Sequence, residues 1–351
     1  MNANFFKYDQ NYLLESGDQL PGFQLAYHTV GSINATRDNV IWVCHALTAN
    51  SDVSNWWPGL YGPNKALDPT KYFIICVNVL GSCYGSTEAL SINGTTGEPY
   101  YHSFPSFTIK DIVGTFELLR KSLGIEKVHT LIGGSLGGQQ VLEWAVSNPL
   151  LFERIIPIAT NACHSPWGIA FNETQRMAIN LDPTWHESKP YAGMNGMKTA
   201  RATALLSYRD YKTYGKTQKE QSSGIPDQYK AASYQQYQGD KIADRFNAFS
   251  YWYLSKAMDS HHLGRNRKDL KSALKEIKAK TLVIGINSDN LFPTSEQIFL
   301  FNHIEDAKLD LIDSIYGHDG FLIETEKLNP ILFDFINQPT AIQFNQNLAV
   351  I

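Results

Sequence analysis

Cysteine is scarce. Cys44, Cys76, Cys83 and Cys163 are the only four in 351 residues, and their spacing matches no zinc-ligand pattern. Cys44 and Cys76 lie inside apolar runs, where cysteine acts as a small buried hydrophobe. This favours a reducing compartment over a disulfide framework. No apolar run is long enough to span a bilayer. The opening residues, Met1-Asn2-Ala3-Asn4-Phe5-Phe6-Lys7, lack a basic start followed by an apolar core, so no signal peptide is read and a cytoplasmic protein without membrane contact is expected. An excess of charge of one sign is missing too: a net −4 gives no basic footprint for nucleic acid or an anionic membrane. Glycines cluster around residue 135, yet neither G-K-S/T nor G-x-G-x-x-G occurs there, which excludes phosphate-loop and dinucleotide-binding chemistry. His261-His262 is an adjacent pair that cannot project two ligands the same way from a helix, and His164 beside Cys163 lacks partners, so no metal is expected. There is no internal repeat and no low-complexity tract.

What is present is an ample core. Hydrophobic residues are 43% and charged residues 18%, and the length exceeds the ~250–300 residues at which single cores stop growing. One large domain with an insertion, or two unequal domains, follows. Phe23 to Val30 alternates like a half-exposed strand, while Asn39 to His45 and Tyr72 to Val79 are continuous apolar runs that read as strands buried on both faces. Thr108 to Leu123 reads as a helix, with Thr108 as N-cap and Asp111 three residues on. Val128 to Ile132, Ile155 to Ala159, Thr281 to Ile286 and Leu309 to Ile312 continue the strand pattern, and Glu324 to Ile336 closes with a helix interrupted at Pro330. Alternating buried strands and helices predict an α/β fold with a mostly parallel sheet. Residues 162–278 break the rhythm with helices predicted at Phe171 to Asn180, Gly196 to Tyr208, Asp227 to Gln236 and Ala243 to Met258. This block is expected to be a helical cap over the sheet's C-terminal edge, on a core made of 1–161 and 279–351. The tyrosine-rich stretch Tyr211 to Gln238 reads as binding groups or as surface loop.

The chemistry centres on Gly133-Gly134-Ser135-Leu136-Gly137-Gly138, between the Val128–Ile132 run and a helical run from Leu136 to about Ser147. G-x-S-x-G in that context is a nucleophile elbow: a strained strand-to-helix turn lifts the serine hydroxyl clear of the sheet, and the helix's first N–H groups favour negative charge there. A serine hydroxyl needs a base, and the base needs a third group to hold it. In chain order the acid comes next. Asp289 directly follows the Thr281–Ile286 run; Asp310 and Asp313, in or just past the last strand, are rivals. His318, in the glycine-flanked loop Tyr316-Gly317-His318-Asp319-Gly320, follows as the base. An oxyanion hole needs two backbone donors. One is expected from Leu136 and the other from the loop His45-Ala46-Leu47-Thr48, with Leu47 as donor although any N–H of that loop could serve.

Several strings together resemble the homoserine O-acetyltransferase family of the α/β-hydrolase superfamily, over residues from about 10 to 335. They are the His45–Thr48 loop, Tyr72 to Gly81, Gly133 to Gln139 with Glu143-Trp144, Ser288-Asp289 with Leu291-Phe292-Pro293, and Gly317 to Leu322. The resemblance implies an α/β-hydrolase fold with a cap, and ping-pong transfer of an acetyl group from acetyl-CoA, through acyl-Ser135, to the hydroxyl of L-homoserine. It implies no bound cofactor, with acetyl-CoA as co-substrate, and a homodimer formed through the cap. It also implies amino-acid-binding roles for Arg201 and Asp319. Tyr208, seven residues after Arg201, falls on the same helix face. An arginine can fork to the substrate carboxylate and an aspartate can pair with its ammonium; Arg201 read alone could equally be a cap salt bridge. Two departures touch the expected pocket: Glu88-Ala89 stands where the family usually has Gly-Pro, and Phe249 where asparagine is more usual. Succinyl-CoA as donor, serine as acceptor, a plain serine esterase and a non-catalytic binding protein of this fold remain as alternatives.

Overall fold

Five strands form the buried half of a sheet because their sequences leave no polar face. In the computed structural model, which describes residues 2–221, 224 and 227–339, these are β5 (Val40–Cys44), β6 (Phe73–Val77), β7 (Val128–Gly134), β8 (Phe152–Ile158) and β9 (Lys280–Ile286). The expected core segment 279–351 therefore runs past the described residues from 340 on, and the expected cap includes four residues, 222, 223, 225 and 226, that also lie outside them. β1 (Asn4–Tyr8), β4 (Phe23–Val30) and β10 (Ala307–Ile312) complete an eight-stranded sheet in the order β1-β4-β6-β5-β7-β8-β9-β10. The pairs β1–β4 and β4–β6 are antiparallel and the rest are parallel. β2 (Tyr12–Leu13) and β3 (Gln19–Leu20) form a separate small hairpin.

Successive side chains of a strand point to opposite faces, and the core divides accordingly. Val40, Trp42 and Cys44 join one cluster with Phe116 and Trp144, while Ile41 and Val43 join the other with Trp57, Ile132, Ile156 and Leu332. On the first face lie α2 (Ile109–Ser122) and α3 (Leu136–Ser147). Thr108 and Asp111 make the expected capping box on α2, with Asp111 N–H donating to Thr108 Oγ1 at 3.2 Å and Thr108 N–H to Asp111 Oδ2 at 2.8 Å. Trp42 meets Trp144 of α3 edge to face, ring centroids 4.9 Å apart. The short α1 (Val53–Trp56) follows β5, and α10 (Thr294–His303) joins β9 to β10.

Between β8 and β9 the chain leaves the sheet and forms α4 (Pro166–Asn180), α5 (Met194–Tyr208), α6 (Tyr211–Thr217), α7 (Lys230–Ala243), α8 (Ala248–Asp259) and α9 (Leu270–Lys275). α4 starts earlier than predicted because Ser165 caps it, accepting from Gly168 N–H at 3.1 Å, with Pro166 in the first turn. α6 lies in the tyrosine-rich stretch expected as binding groups or surface loop, and is started by Asp210, whose carboxylate accepts from Lys212 N–H at 2.7 Å. α7 is shifted C-terminally from the predicted Asp227–Gln236, and α8 begins only after Asn247, whose side chain accepts from Ser250 N–H at 2.7 Å. The outgoing and returning passages run side by side: His164 N–H donates to the His261 carbonyl at 2.9 Å and Leu263 N–H to the Ala162 carbonyl at 3.0 Å. Arg265 and Arg267 then reach Glu15 and Glu143, each pair within 2.8 Å.

The chain ends with α11 (Gly320–Ile323) and α12 (Thr325–Ile336). The predicted interruption at Pro330 is not observed: α12 runs through it. Pro330 lacks an N–H to donate, but burial of Leu328, Leu332, Phe335 and Ile336 against the second core cluster holds the helix together. Among the described residues no helix is long and apolar enough to cross a membrane.

Candidate active site

Ser135 stands between the last residue of β7 and the first of α3, at φ 58° and ψ −124°. A non-glycine residue with positive φ is strained, and the surroundings must over-determine it. They do: Ser135 N–H donates to the Ile158 carbonyl at 2.9 Å, and the Ser135 carbonyl accepts from Gln139 N–H at 3.1 Å and Thr160 Oγ1 at 3.0 Å. The flanking glycines are required by close approach. A Cβ on Gly137 would lie 2.1 Å from the Cys44 carbonyl oxygen, and one on Gly133 would lie 2.6 Å from the Gly137 carbonyl.

Asp289 follows β9 in a tight turn. Its Oδ1 accepts from the Leu291 and Phe292 N–H groups, both at 2.8 Å, and its Oδ2 faces His318 Nδ1 at 2.6 Å. His318 lies on a short turn after β10, entered through Gly317 at φ 63°, whose N–H donates to Ser288 Oγ at 3.0 Å. His318 Nε2 is 2.8 Å from Ser135 Oγ. The proton positions follow from chemistry. An ionised carboxylate only accepts, so Nδ1–H donates to Asp289, and Nε2 is left to accept the Ser135 hydroxyl. Three residues distant in sequence thus form one continuous hydrogen-bonded row, each of them at most 6% exposed. Phe292 at 5.1 Å, Phe321 at 5.3 Å and Tyr208 at 5.7 Å (ring centroids) surround the imidazole. Neither rival acid occupies the Asp289 position: Asp310 is half-buried within β10, and Asp313 lies past it.

Leu136 opens α3, so its N–H has no carbonyl four residues back within the helix. Leu47 is buried in the loop after β5, which lies against the start of α3: the same Gly137 Cβ would be 3.2 Å from the His45 carbonyl oxygen.

The amino-acid-binding candidates converge from two directions. Arg201 and Tyr208, both on α5, stack as their spacing predicts, the guanidinium carbon 5.5 Å from the ring centroid. Tyr208 brings this pair against His318. Asp319, next in sequence to His318, forms an ion pair through Oδ2 with Arg209 Nε at 3.0 Å. The sequence marks Arg209 only by its place just past the helix that carries Arg201 and Tyr208. Burial raises the Asp319 carboxyl pKa above its ordinary value, against the pull of Arg209, Arg201 and His318. The two departures from the family pattern have packing explanations. Glu88 accepts from Leu90 N–H at 2.9 Å and sits 3.4 Å from Ser250 Oγ, at the N-terminal end of α8, where helix polarity suits a carboxylate. Phe249 is fully buried against Trp185 at 4.8 Å and His102 at 5.0 Å. Among the described residues no three His, Cys, Asp or Glu side chains gather closely enough to hold a metal ion.

Comparison with known proteins gives the family and the fold. The family model of the α/β-hydrolase fold matches residues 39–325. A homoserine O-acetyltransferase from Cyclobacterium marinum is 51% identical over 335 residues, covering 95% of each chain. The crystal structure of homoserine O-acetyltransferase from Bacillus anthracis superposes with a TM-score of 0.88 at 27% identity, covering 96% of this chain and 98% of that one. Esterase E22 also superposes at 0.88, with 24% identity over 95% of this chain and 99% of its own, a likeness of fold alone. The chain belongs to the homoserine O-acetyltransferase family, on the α/β-hydrolase fold.

Proposed function

We propose that this protein transfers an acetyl group from acetyl-CoA to the hydroxyl of L-homoserine, forming O-acetyl-L-homoserine on the way to methionine. The buried Ser135–His318–Asp289 row with Arg201, Tyr208 and Asp319 beside it carries the reading. In the first half-reaction Ser135 Oγ attacks the thioester carbonyl carbon while its proton passes to His318 Nε2. The tetrahedral oxyanion is held by the N–H groups of Leu47 and Leu136. When the C–S bond breaks, the proton goes from His318 to the leaving thiolate and CoA departs. In the second half-reaction the homoserine hydroxyl gives its proton to His318 and attacks the acyl carbon. The ester forms, and the proton returns to Ser135. Asp289 holds the imidazole in the needed tautomer and stabilises it when charged.

Arg201 forks to the homoserine carboxylate, with Tyr208 fixing the guanidinium plane. Asp319, paired with Arg209, meets the ammonium or the acceptor hydroxyl. Acetyl-CoA enters as co-substrate, with no resident cofactor. Residues 162–278 act as a cap that limits water at the acyl-enzyme. The protein works in the cytoplasm as a homodimer through this block: nine of the seventeen exposed large hydrophobic residues among those described lie in it, including Trp167, Met177, Leu181 and Leu206.

Incubation with acetyl-CoA alone tests the reading. We expect one acetyl mass on Ser135 and one equivalent of CoA thiol, discharged rapidly only on adding homoserine. Loss of the acetyl group to water at a rate homoserine leaves unchanged would make the protein an esterase, the activity named for several structural neighbours. A panel of acetyl- and succinyl-CoA against homoserine and serine, read by thiol release, fixes donor and acceptor.

A further inference from the structure

The loop after β5 begins with a histidine that the catalytic row does not use. His45 is fully buried, and the backbone engages both its ring nitrogens. Val79 N–H donates to Nε2 at 3.1 Å. Nε2 is therefore an acceptor, and the ring's one proton sits on Nδ1, which donates to the Ala46 carbonyl oxygen at 2.8 Å. Burial keeps the ring neutral, its pKa pushed down to about 4, so this tautomer persists at neutral pH.

The Ala46 carbonyl and the Leu47 N–H belong to one peptide unit. That peptide is trans, and a planar trans peptide points its C=O and N–H in opposite directions. Holding the oxygen on the imidazole therefore turns the Leu47 N–H away from it, and this peptide cannot rotate without breaking the bond. Two further contacts fix the loop at its ends. Gln140 Nε2 of α3, the helix that starts at Leu136, donates to the His45 carbonyl at 3.2 Å, and Arg245 donates to the Thr48 carbonyl at 2.5 Å. Leu47 and Leu136 sit on separate pieces of chain, and an oxyanion hole works only if its donors are oriented before charge develops. We infer that His45 is a positioning residue that aims the Leu47 N–H by holding the other end of the same peptide, an inference resting on the acyl-transfer reading above.

Three variants separate this role from simple packing. His45→Asn puts an amide nitrogen near the Nδ1 position, so it can still donate to the Ala46 oxygen but loses Val79. His45→Gln puts an amide oxygen near the Nε2 position, keeping Val79 and releasing Ala46. His45→Phe loses both. We expect the Gln and Phe variants to lose about 10–100-fold in kcat/KM, less than the about 10²–10³-fold typical of deleting an oxyanion donor outright. The loss should be equal for acetyl-CoA and for homoserine, because both half-reactions pass through an oxyanion. The Asn variant should stay within a few-fold of the parent. A CoA-linked trifluoromethyl ketone, which forms a tetrahedral adduct with the serine, should lose affinity by the same factor as kcat/KM.

A Gln variant as active as the parent, or activities that follow melting temperature rather than the Ala46 bond, would overturn the role of His45 while Ser135 acetylation in the parent stays intact. If the Phe variant does not fold, the Asn–Gln pair decides alone. Failure of the parent itself to acetylate Ser135 would remove the acyl-transfer reading, and this inference with it.

Discussion

The two halves of the site are built to different tolerances. The Ser135–His318–Asp289 row comes from the ends of β7, β9 and β10 and is closed by contacts of 2.6 and 2.8 Å between hydrogen-bond partners. Arg201 and Tyr208 come from an inserted helix; the guanidinium lies 5.5 Å over the Tyr208 ring, and that ring meets the His318 imidazole at a tilt, centroids 5.7 Å apart. The sheet fixes the reacting groups. On the proposed reading, the insertion supplies what distinguishes one acceptor from another. On that reading a fold shared with an esterase at a TM-score of 0.88 carries a transferase because hydrolysis and transfer use the same row and differ in what stands beside it.

If the division holds, damage to the row should stop both half-reactions, and damage to the insertion should stop one. The largest effect belongs to Ser135→Ala. We expect acyl transfer to fall to background, about 10⁶-fold, with no CoA release and no acetyl mass on the protein; residual covalent acetylation at the site would show that another nucleophile serves. Asp289→Asn comes next. Its amide would donate to His318 Nδ1, forcing the ring proton onto Nε2 and leaving nothing to accept from the Ser135 hydroxyl. Turnover should drop about 10⁴-fold with little change in fold, measured by pre-steady-state thiol release. A drop under tenfold would mean that Asp310 or Asp313 can take its place.

Arg201→Ala tests the other half. Losing a charge-assisted fork to a carboxylate is worth about 2–3 kcal/mol, or about 100-fold in kcat/KM for homoserine. The rate at which acetyl-CoA acetylates Ser135 should stay within a few-fold of the parent. Equal losses in both half-reactions would erase the distinction, because Arg201 would then be shaping the row through Tyr208 instead of reading the substrate.

The same contrast describes what could be read from the letters. The elbow was legible because it is local: five residues between a buried run and a helix. Asp289 and His318 were legible because chain order and strand ends restrict where they can stand. The insertion was less so. α6 and α9 lack an apolar period, and only their caps, Asp210 and Asp269, marked them. Pro330 suggested a break, which tertiary burial overrode. The Arg209–Asp319 pair joins two segments far apart in the chain, and no spacing rule foretells such a pair. His45 was legible as the first residue of the oxyanion loop, but not its own role, because the meaning of its ring lies in one peptide plane.

The smallest expected effect concerns how the insertion is joined to the sheet. His164 and His261 sit where the chain crosses between them, and burial holds both neutral, at about 4 and about 3. His45 and His129, in the sheet half, are likewise pushed down to about 4. An unfolded histidine titrates near 6.5. Between that value and the folded ones the unfolded chain binds more protons, so stability rises with pH there. The contribution is fully present above about pH 6.5 and is lost as pH falls toward 4, on the order of 3 kcal/mol for a histidine held near 4. His164 contacts Gln139 and Asn172, and its Nε2 lies 3.8 Å from Asp259 Oδ1, a carboxylate already bound by Arg176 and so poorly placed to relieve an imidazolium. Urea midpoints measured from pH 7.5 to 4.5 should therefore fall steadily. His164→Asn, which cannot titrate, should flatten that dependence by about one proton, or about 1.4 kcal/mol per pH unit near pH 5. An unchanged slope would mean that the junction opens to take up the proton before the sheet unfolds, making it the weaker of the two regions.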